Sequence, residues 1–240
     1  MKIAFGLLAV AGIAASALAG PILPAAPEQG SLVIDLNGNI VEDISPAVDV
    51  TRYDNWTNPP SALTGVFNTG GAEIADDLNM TGMGHLGNVG VNIANTGTTA
   101  WAATGGSGII RFYRQSDGSF IGGFGFNLPA LNLAVNSSTR LQFGDGALAG
   151  LNIWLDTTNI FMSVQYTALN GASLATVGMQ TRGPVGIGTS TDNMINVGSG
   201  NFNFNGAPLA NGGLKVAIVP TPASLALLGL GGLAAARRRR

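Results

Sequence analysis

Two adjacent carboxylates, Asp76 and Asp77, with Glu73 three residues before them, are the best candidates for chemistry in this 240-residue chain. Neighbouring residues of a strand point to opposite faces, so one aspartate should face inward, where it must be paired or bind a cation. Carboxylates mixed with amide and backbone oxygens suit Ca²⁺, which takes about six to eight oxygen ligands. The alternative is an acid pair held by turn amides or by an arginine such as Arg111.

Aromatic residues give a second candidate site. Trp56 and Trp101 lie in loop-like segments, where exposed rings can stack on sugars. For Trp154 the sequence favours neither a packed nor an exposed ring. A carbohydrate-binding module, with or without calcium, is therefore the alternative function. No residue pattern indicates catalysis, because His85 is the only histidine and no Gly-x-Ser-x-Gly motif occurs. Residues 82–87 fit G-x-G-x-x-G, but the strand-like residues after them provide no helix to hold a pyrophosphate.

The composition limits the remaining classes. Without Lys2 and the four terminal arginines, six basic residues stand against 13 acidic ones, a net charge of −7 for the body of the chain. A body of this charge does not favour nucleic acid, which needs basic patches. The absence of cysteine excludes disulfides and thiolate metal sites. Abundant glycine depresses helix propensity, while 46% hydrophobic residues are too many for a disordered chain.

Short apolar segments separated by turn-forming residues predict many strands from about Gly71 onward. An Asn37-Gly38 hairpin joins Ser31–Leu36 to Asn39–Ile44, and Asn55–Thr64 is predicted to be a loop. Spacing near ten residues is typical of a sandwich or barrel. We predict an all-β, two-sheet antiparallel sandwich of jelly-roll type. The further predicted strands are Ala72–Met80, Asn88–Ala94, Gly108–Arg114, Ser119–Asn127, Thr139–Phe143, Leu151–Leu155, Ile160–Thr167, Ala175–Arg182, Asn201–Asn205 and Gly213–Ile218.

The amino terminus has the pattern of a secretory signal peptide. Lys2 gives a positive region, residues 3–15 are apolar, and Ala17-Leu18-Ala19 is a small-x-small cleavage site. The predicted cut by signal peptidase falls after Ala19, so that Gly20 begins the exported chain. We expect the removed segment to form a signal helix.

The carboxyl terminus combines a turn motif, an apolar segment and a basic cluster. The motif residues are Val219, Pro220, Thr221, Pro222, Ala223 and Ser224, and the cluster residues are Arg237, Arg238, Arg239 and Arg240. The apolar run between them, residues 225–236, is shorter than the roughly 20 residues of a usual transmembrane helix. Membrane thinning and snorkelling arginines can relieve the mismatch, and the arginines should keep that end in the cytoplasm.

This ending resembles the PEP-CTERM sorting signal of Gram-negative bacteria, with Thr221 where the family has glutamate. The resemblance implies recognition and removal by an exosortase-type transpeptidase, and a surface or exopolysaccharide-associated protein. A second, weaker resemblance is to an exported domain that precedes such signals; it covers residues 73–78, 111–113, 163–166 and 186–192. This resemblance implies no activity.

These patterns predict four parts: a signal peptide (1–19), an extended lead-in with a hairpin (20–70), a β-sandwich (71–218) and a sorting signal with a transmembrane helix (219–240). We expect a non-catalytic protein that is first tethered in the inner membrane and then displayed at the cell surface or released. The expected partners are signal peptidase, an exosortase, the membrane and polysaccharide, without nucleic acid.

Overall fold

The computed structural model describes residues 28–42, 49–56, 62–190, 193–198, 201–204 and 211–219. These residues form fifteen strands, one helical turn α1 (Asp145–Leu148) and two 3-10 turns (Ala149–Leu151 and Leu174–Thr176). The strands are β1 (Ser31–Val33), β2 (Val50–Asp54), β3 (Ala62–Asn68), β4 (Ile74–Asn79), β5 (Gly84–Asn95), β6 (Gly105–Arg114), β7 (Phe120–Leu128), β8 (Ser138–Phe143), β9 (Trp154–Leu155), β10 (Asn159–Asn170), β11 (Val177–Gly183), β12 (Asn193–Gly198), β13 (Asn201–Phe204), β14 (Asn211–Gly212) and β15 (Lys215–Val219).

The strands are divided between two sheets. The first sheet has nine strands and is built around β5, which pairs with β8 and β9 on one side and with β15 and β11 on the other. The second has six strands in the order β13-β12-β4-β10-β6-β7. All pairings between these strands are antiparallel except that of β1 with β8, which is parallel. The predicted all-β, two-sheet class is confirmed, with this one parallel pair as a departure.

The two sheets share one hydrophobic core. Phe143 of β8 in the first sheet packs edge-to-face on Phe124 and Phe126 of β7 in the second, with ring centroids 5.5 and 4.9 Å apart. The Tyr166 hydroxyl on β10 donates to the Asn92 carbonyl on β5 at 2.5 Å, which links the sheets through a buried hydrogen bond. The period-two alternation in the sequence places these side chains inward.

Most of the predicted strands are present, and the alternation assigned to them is confirmed. Met162, Val164 and Tyr166 on β10 are at most 3% exposed. The same is true of Leu214, Val216 and Ile218, which lie in β15 or directly before it. Four strands were not predicted: β2, β3, β12 and β14. The strand β3 begins at Ala62, so the loop predicted over residues 55–64 is too long at its end.

The segment predicted as a lead-in supplies strands to the first sheet. The strand β1 pairs with β8, β2 pairs with β15 and β3 pairs with β11. All three partners lie in the range predicted for the sandwich. The described part of residues 20–70 therefore contributes to the first sheet.

The Asn37-Gly38 turn is confirmed, although the strand after it is reduced to a bridge between Ile34 and Ile40. Gly38 has a φ of 84°, which disfavours any residue with a side chain. In addition, a Cβ at this position would lie 3.0 Å from the Asn127 carbonyl oxygen. The Asp35 carboxylate accepts hydrogen bonds from Asn39 and from the Asn37 amide. These bonds lower its pKa, that from the Asn39 side chain having the largest effect.

Candidate functional site

Strand β4 places the two predicted aspartates on different sides of the second sheet. Asp76 is fully buried and Asp77 is partly exposed. The neighbours Ile74 and Leu78, which share the inward face with Asp76, are also buried. The prediction that one carboxylate of the pair faces inward is confirmed.

Hydrogen-bond donors from distant parts of the chain surround the Asp76 carboxylate. The Ser190 hydroxyl donates to Oδ1 at 2.5 Å, and the Gly212 amide donates to Oδ2 at 2.8 Å. The Asp77 amide also donates to Oδ1, at 3.0 Å. The Ser190 hydroxyl lies 3.0 Å from Asp77 Oδ1 as well, so one serine connects both carboxylates.

Burial changes the acidity of this group. Desolvation raises the pKa of Asp76 from 3.8 to about 7, against the lowering effect of the Ser190 hydrogen bond. The charge of Asp77 raises it further. The phenol of Tyr53 is close by, and burial followed by the Asp76 charge raises its pKa well above 10.0. The arrangement can hold a proton on a buried carboxyl near neutral pH.

Glu73 has different partners from the two aspartates. Its Oε1 accepts from the Ser163 hydroxyl at 2.5 Å and from the Tyr113 hydroxyl at 3.1 Å, and its Oε2 forms an ion pair with Arg111 Nη1 at 3.2 Å. Arg111 Nη1 also donates to Gln165 Oε1 at 3.2 Å. Desolvation, and then the Glu73 charge, raise the pKa of Tyr113 to about 12. The arginine that was considered as a partner of the aspartates therefore pairs with Glu73.

This arrangement separates the three tentative metal ligands. Asp76 and Asp77 share Ser190, whereas Glu73 is held by Arg111, Tyr113 and Ser163. Within the residues that the structure describes, no group of three or more His, Cys, Asp or Glu side chains is placed to hold a metal ion. Calcium binding stays a prediction. The inward carboxylate of Asp76 gives it less support, because hydrogen-bond donors already surround this group.

The expectation that Trp56 and Trp101 are exposed is wrong. Their side chains are only 3% and 6% exposed. Trp56 Nε1 donates to the Gly213 carbonyl at 2.6 Å, and its ring lies 5.3 Å from the Arg140 guanidinium carbon. Trp101 Nε1 donates to the Thr176 hydroxyl at 3.0 Å. Neither ring is available to stack on a sugar, because both are packed into the body of the protein.

A glycine of β5 makes room for the Trp56 ring. A Cβ at Gly90 would lie 2.2 Å from Trp56 Cη2. We expect Gly90→Ala to destabilise the protein by about 1–3 kcal/mol, because the ring must leave its packed position. Denaturant unfolding followed by tryptophan emission measures the change. The matched control is Gly150→Ala, where a Cβ has no atom within 4 Å, and equal stability of the two variants would contradict the packing argument.

Trp154 is the exposed tryptophan of the three. Its side chain is 41% exposed, and its ring meets the His85 ring edge-on at a centroid distance of 4.7 Å. His85 lies near the start of β5 and pairs with Trp154 across the strands. The glycines at 82–87 run into β5, which begins at Gly84, so the predicted strand is present at this place.

A charged cluster joins the first described residues to the first sheet. The Glu28 carboxylate forms ion pairs with Arg140 Nε and Arg182 Nη2, both at 2.5 Å. Arg182 is almost fully buried and also donates from Nε to Gln180 Oε1 at 3.3 Å. Burial, and then the neighbouring Arg140 charge, lower the pKa of Arg182. This cluster was not predicted from the sequence, because Glu28, Arg140 and Arg182 are more than forty residues apart from one another.

The residues of both terminal signals lie outside the described part of the chain, apart from Val219, the last residue of β15. This applies to Ala17, Ala19 and Gly20, to the motif from Pro220 onward and to the four terminal arginines. Of the helices described, none is long and apolar enough to cross a membrane. Comparisons with family models, curated proteins and solved structures find no match to this chain.

Proposed function

We propose that this protein is an exported, non-catalytic protein of the cell envelope, tethered in the inner membrane and then sorted to the surface or the extracellular matrix. The observation that carries the proposal is the order of the carboxyl-terminal sequence. A proline motif, an apolar run and four arginines follow directly after Val219, the last residue of β15. That order suits a folded exterior domain joined to a membrane segment whose basic end stays in the cytoplasm.

The fold and the polar clusters fit a binding or structural role. The chain passes repeatedly between the sheets, with β4 in the second, β5 in the first, β6 and β7 in the second and β8 in the first. Such crossings support the jelly-roll arrangement as part of this proposal. In addition, the signal helix and the membrane helix are proposed from the sequence of residues 1–19 and 219–240.

The ends of the chain provide the test. We expect mass spectrometry of the exported protein to find Gly20 at the amino terminus, with a fraction ending within residues 219–224. Thr221→Glu, which restores the family motif, should increase that fraction if an exosortase acts on the protein. Replacing Arg237–Arg240 by glutamine should alter the distribution between membrane and medium, because positive charges hold this end inside.

The controls separate export from sorting. Thr221→Ser keeps the hydroxyl and should behave like the natural protein. An unprocessed chain recovered from the cytoplasmic fraction would contradict the proposed export. An exported chain that keeps all residues up to position 240 in every variant would contradict sorting alone.

A further inference from the structure

The end of the last strand lies beside an exposed aromatic row. Val219 pairs with His85 of β5, and His85 pairs on its other side with Trp154 of β9. Directly paired residues of adjacent strands point to the same face of a sheet. His85 and Trp154 are exposed while the neighbouring Leu86 and Leu155 are buried, so this row lies on the outer face of the first sheet.

We name Met83, His85, Trp154 and Val219 the terminal patch. Met83 is 53% exposed and lies two residues before His85, and Trp154 is 41% exposed. Charges of both signs lie near the patch. The Asp49 carboxylate lies against Gly87 and the Arg52 guanidinium against Gly82. The exposed Asp156, two residues after Trp154, forms an ion pair with Arg114. The patch is thus an exposed apolar and aromatic surface with charges of both signs at its edge.

The sequence after Val219 limits how far this patch can be from a bilayer. Residues 220–224 separate Val219 from the apolar run that begins at Leu225. The six steps from Val219 to Leu225 span at most about 22 Å when fully extended. When the run is inserted in the membrane, as the proposed function requires, the end of β15 is therefore held close to the lipid headgroups.

We propose that the terminal patch contacts the phospholipid surface of the membrane in which the chain is tethered. Tryptophan is favoured at the boundary between headgroups and acyl chains, where an apolar ring and a polar N–H are both accommodated. The net charge of −7 on the exported body does not favour attraction to anionic lipid. The contact is accordingly apolar, and salt should not release it. This inference rests on the proposed tether.

The three tryptophans make the contact measurable. Trp56 and Trp101 are buried inside the protein, so a quencher in the lipid should reach Trp154 alone. The full chain, extracted from cell membranes, is reconstituted into phosphatidylethanolamine–phosphatidylglycerol vesicles that carry bromine on the acyl chains. We expect loss of the Trp154 emission in brominated vesicles compared with unbrominated ones, at low and at high salt.

Variants assign the signal to the patch. Trp154→Phe should abolish the quenching, and Met83→Ser should reduce it. The matched control is Ile40→Ser, which removes an apolar side chain that is 62% exposed beside β1, away from β15, and should leave the quenching unchanged.

Vesicle flotation separates the inference from the tether. Protein that floats with the vesicles and shows no quenching of Trp154 overturns the lipid contact while the tether stands. Protein that does not float overturns the tether, and the contact with it. Protein that floats unquenched, and whose Trp154→Cys variant forms disulfides between two copies under air oxidation, assigns the patch to self-association instead.

Discussion

Replacing Glu28 by glutamine is expected to lower the free energy of unfolding by about 3–5 kcal/mol, because it removes the carboxylate that forms an ion pair with the buried guanidinium of Arg182. The Glu28 carboxylate lies 2.5 Å from both Arg182 Nη2 and Arg140 Nε. Arg182 is 4% exposed, so water cannot replace the lost carboxylate. Urea unfolding at neutral pH measures the change.

A surface ion pair provides the matched control. Arg114 pairs with Asp156, and both side chains are about one third exposed. Asp156→Asn removes the same kind of charge and should cost far less stability, because solvent screens the pair. Equal losses in the two variants would show that burial does not govern the Glu28 cluster. In that event the buried cluster contributes no more than a surface pair.

The second large effect is a dependence of stability on pH that originates at Asp76. The folded protein holds the pKa of this group at about 7, against 3.8 for the ordinary carboxyl. As the pH rises from about 4 to about 7, the unfolded chain releases this proton before the folded chain does. Asp76 therefore stabilises the fold most at low pH, and on the order of 4 kcal/mol of that contribution is lost as the pH rises through 7.

Asp76→Asn should remove this dependence. The amide oxygen can still accept from the Gly212 amide, and the amide nitrogen can donate to the Ser190 hydroxyl. At about pH 8 we expect the variant to be at least as stable as the natural protein, which must then bury a charge. Denaturant unfolding of both proteins between about pH 5 and pH 8 gives the difference in slope.

Asp77→Asn is the control for the neighbouring position. Desolvation and the Ser190 hydrogen bond affect the pKa of Asp76 more than the Asp77 charge does, so this variant should keep most of the slope. If the natural protein and Asp76→Asn show the same dependence on pH, the assignment to Asp76 is wrong. Other titrating groups are common to all three proteins and do not affect the comparison.

Local patterns in the sequence predicted the features that depend on one strand at a time. Alternation identified the inward residues of β10 and β15 and predicted that one of the two aspartates of β4 faces inward. The Asn37-Gly38 pair located a turn whose glycine has a positive φ. Each of these features depends on residues within a few positions of one another, where backbone geometry is the deciding factor.

Features that join distant segments were not predictable in this way. Ser190 and Gly212 approach Asp76 from more than one hundred residues further along the chain. Trp56 lies in a segment with the composition of a loop. Its ring nevertheless packs against Gly90, and its Nε1 donates to the Gly213 carbonyl. The residues next to a tryptophan in the sequence indicate its backbone conformation. Its burial depends on which distant strands pack against it.

The place of β15 in the first sheet has a consequence for the timing of folding. This strand is the last described one in the chain, yet it pairs with both β2 and β5, and Lys215 is matched with Asp54. Such long-range pairings close slowly, because a large loop must be ordered first. A chain exported as proposed cannot complete this sheet until almost its whole length has been synthesised. In a chain exported as proposed, the first sheet is therefore completed only after β15 has crossed the membrane.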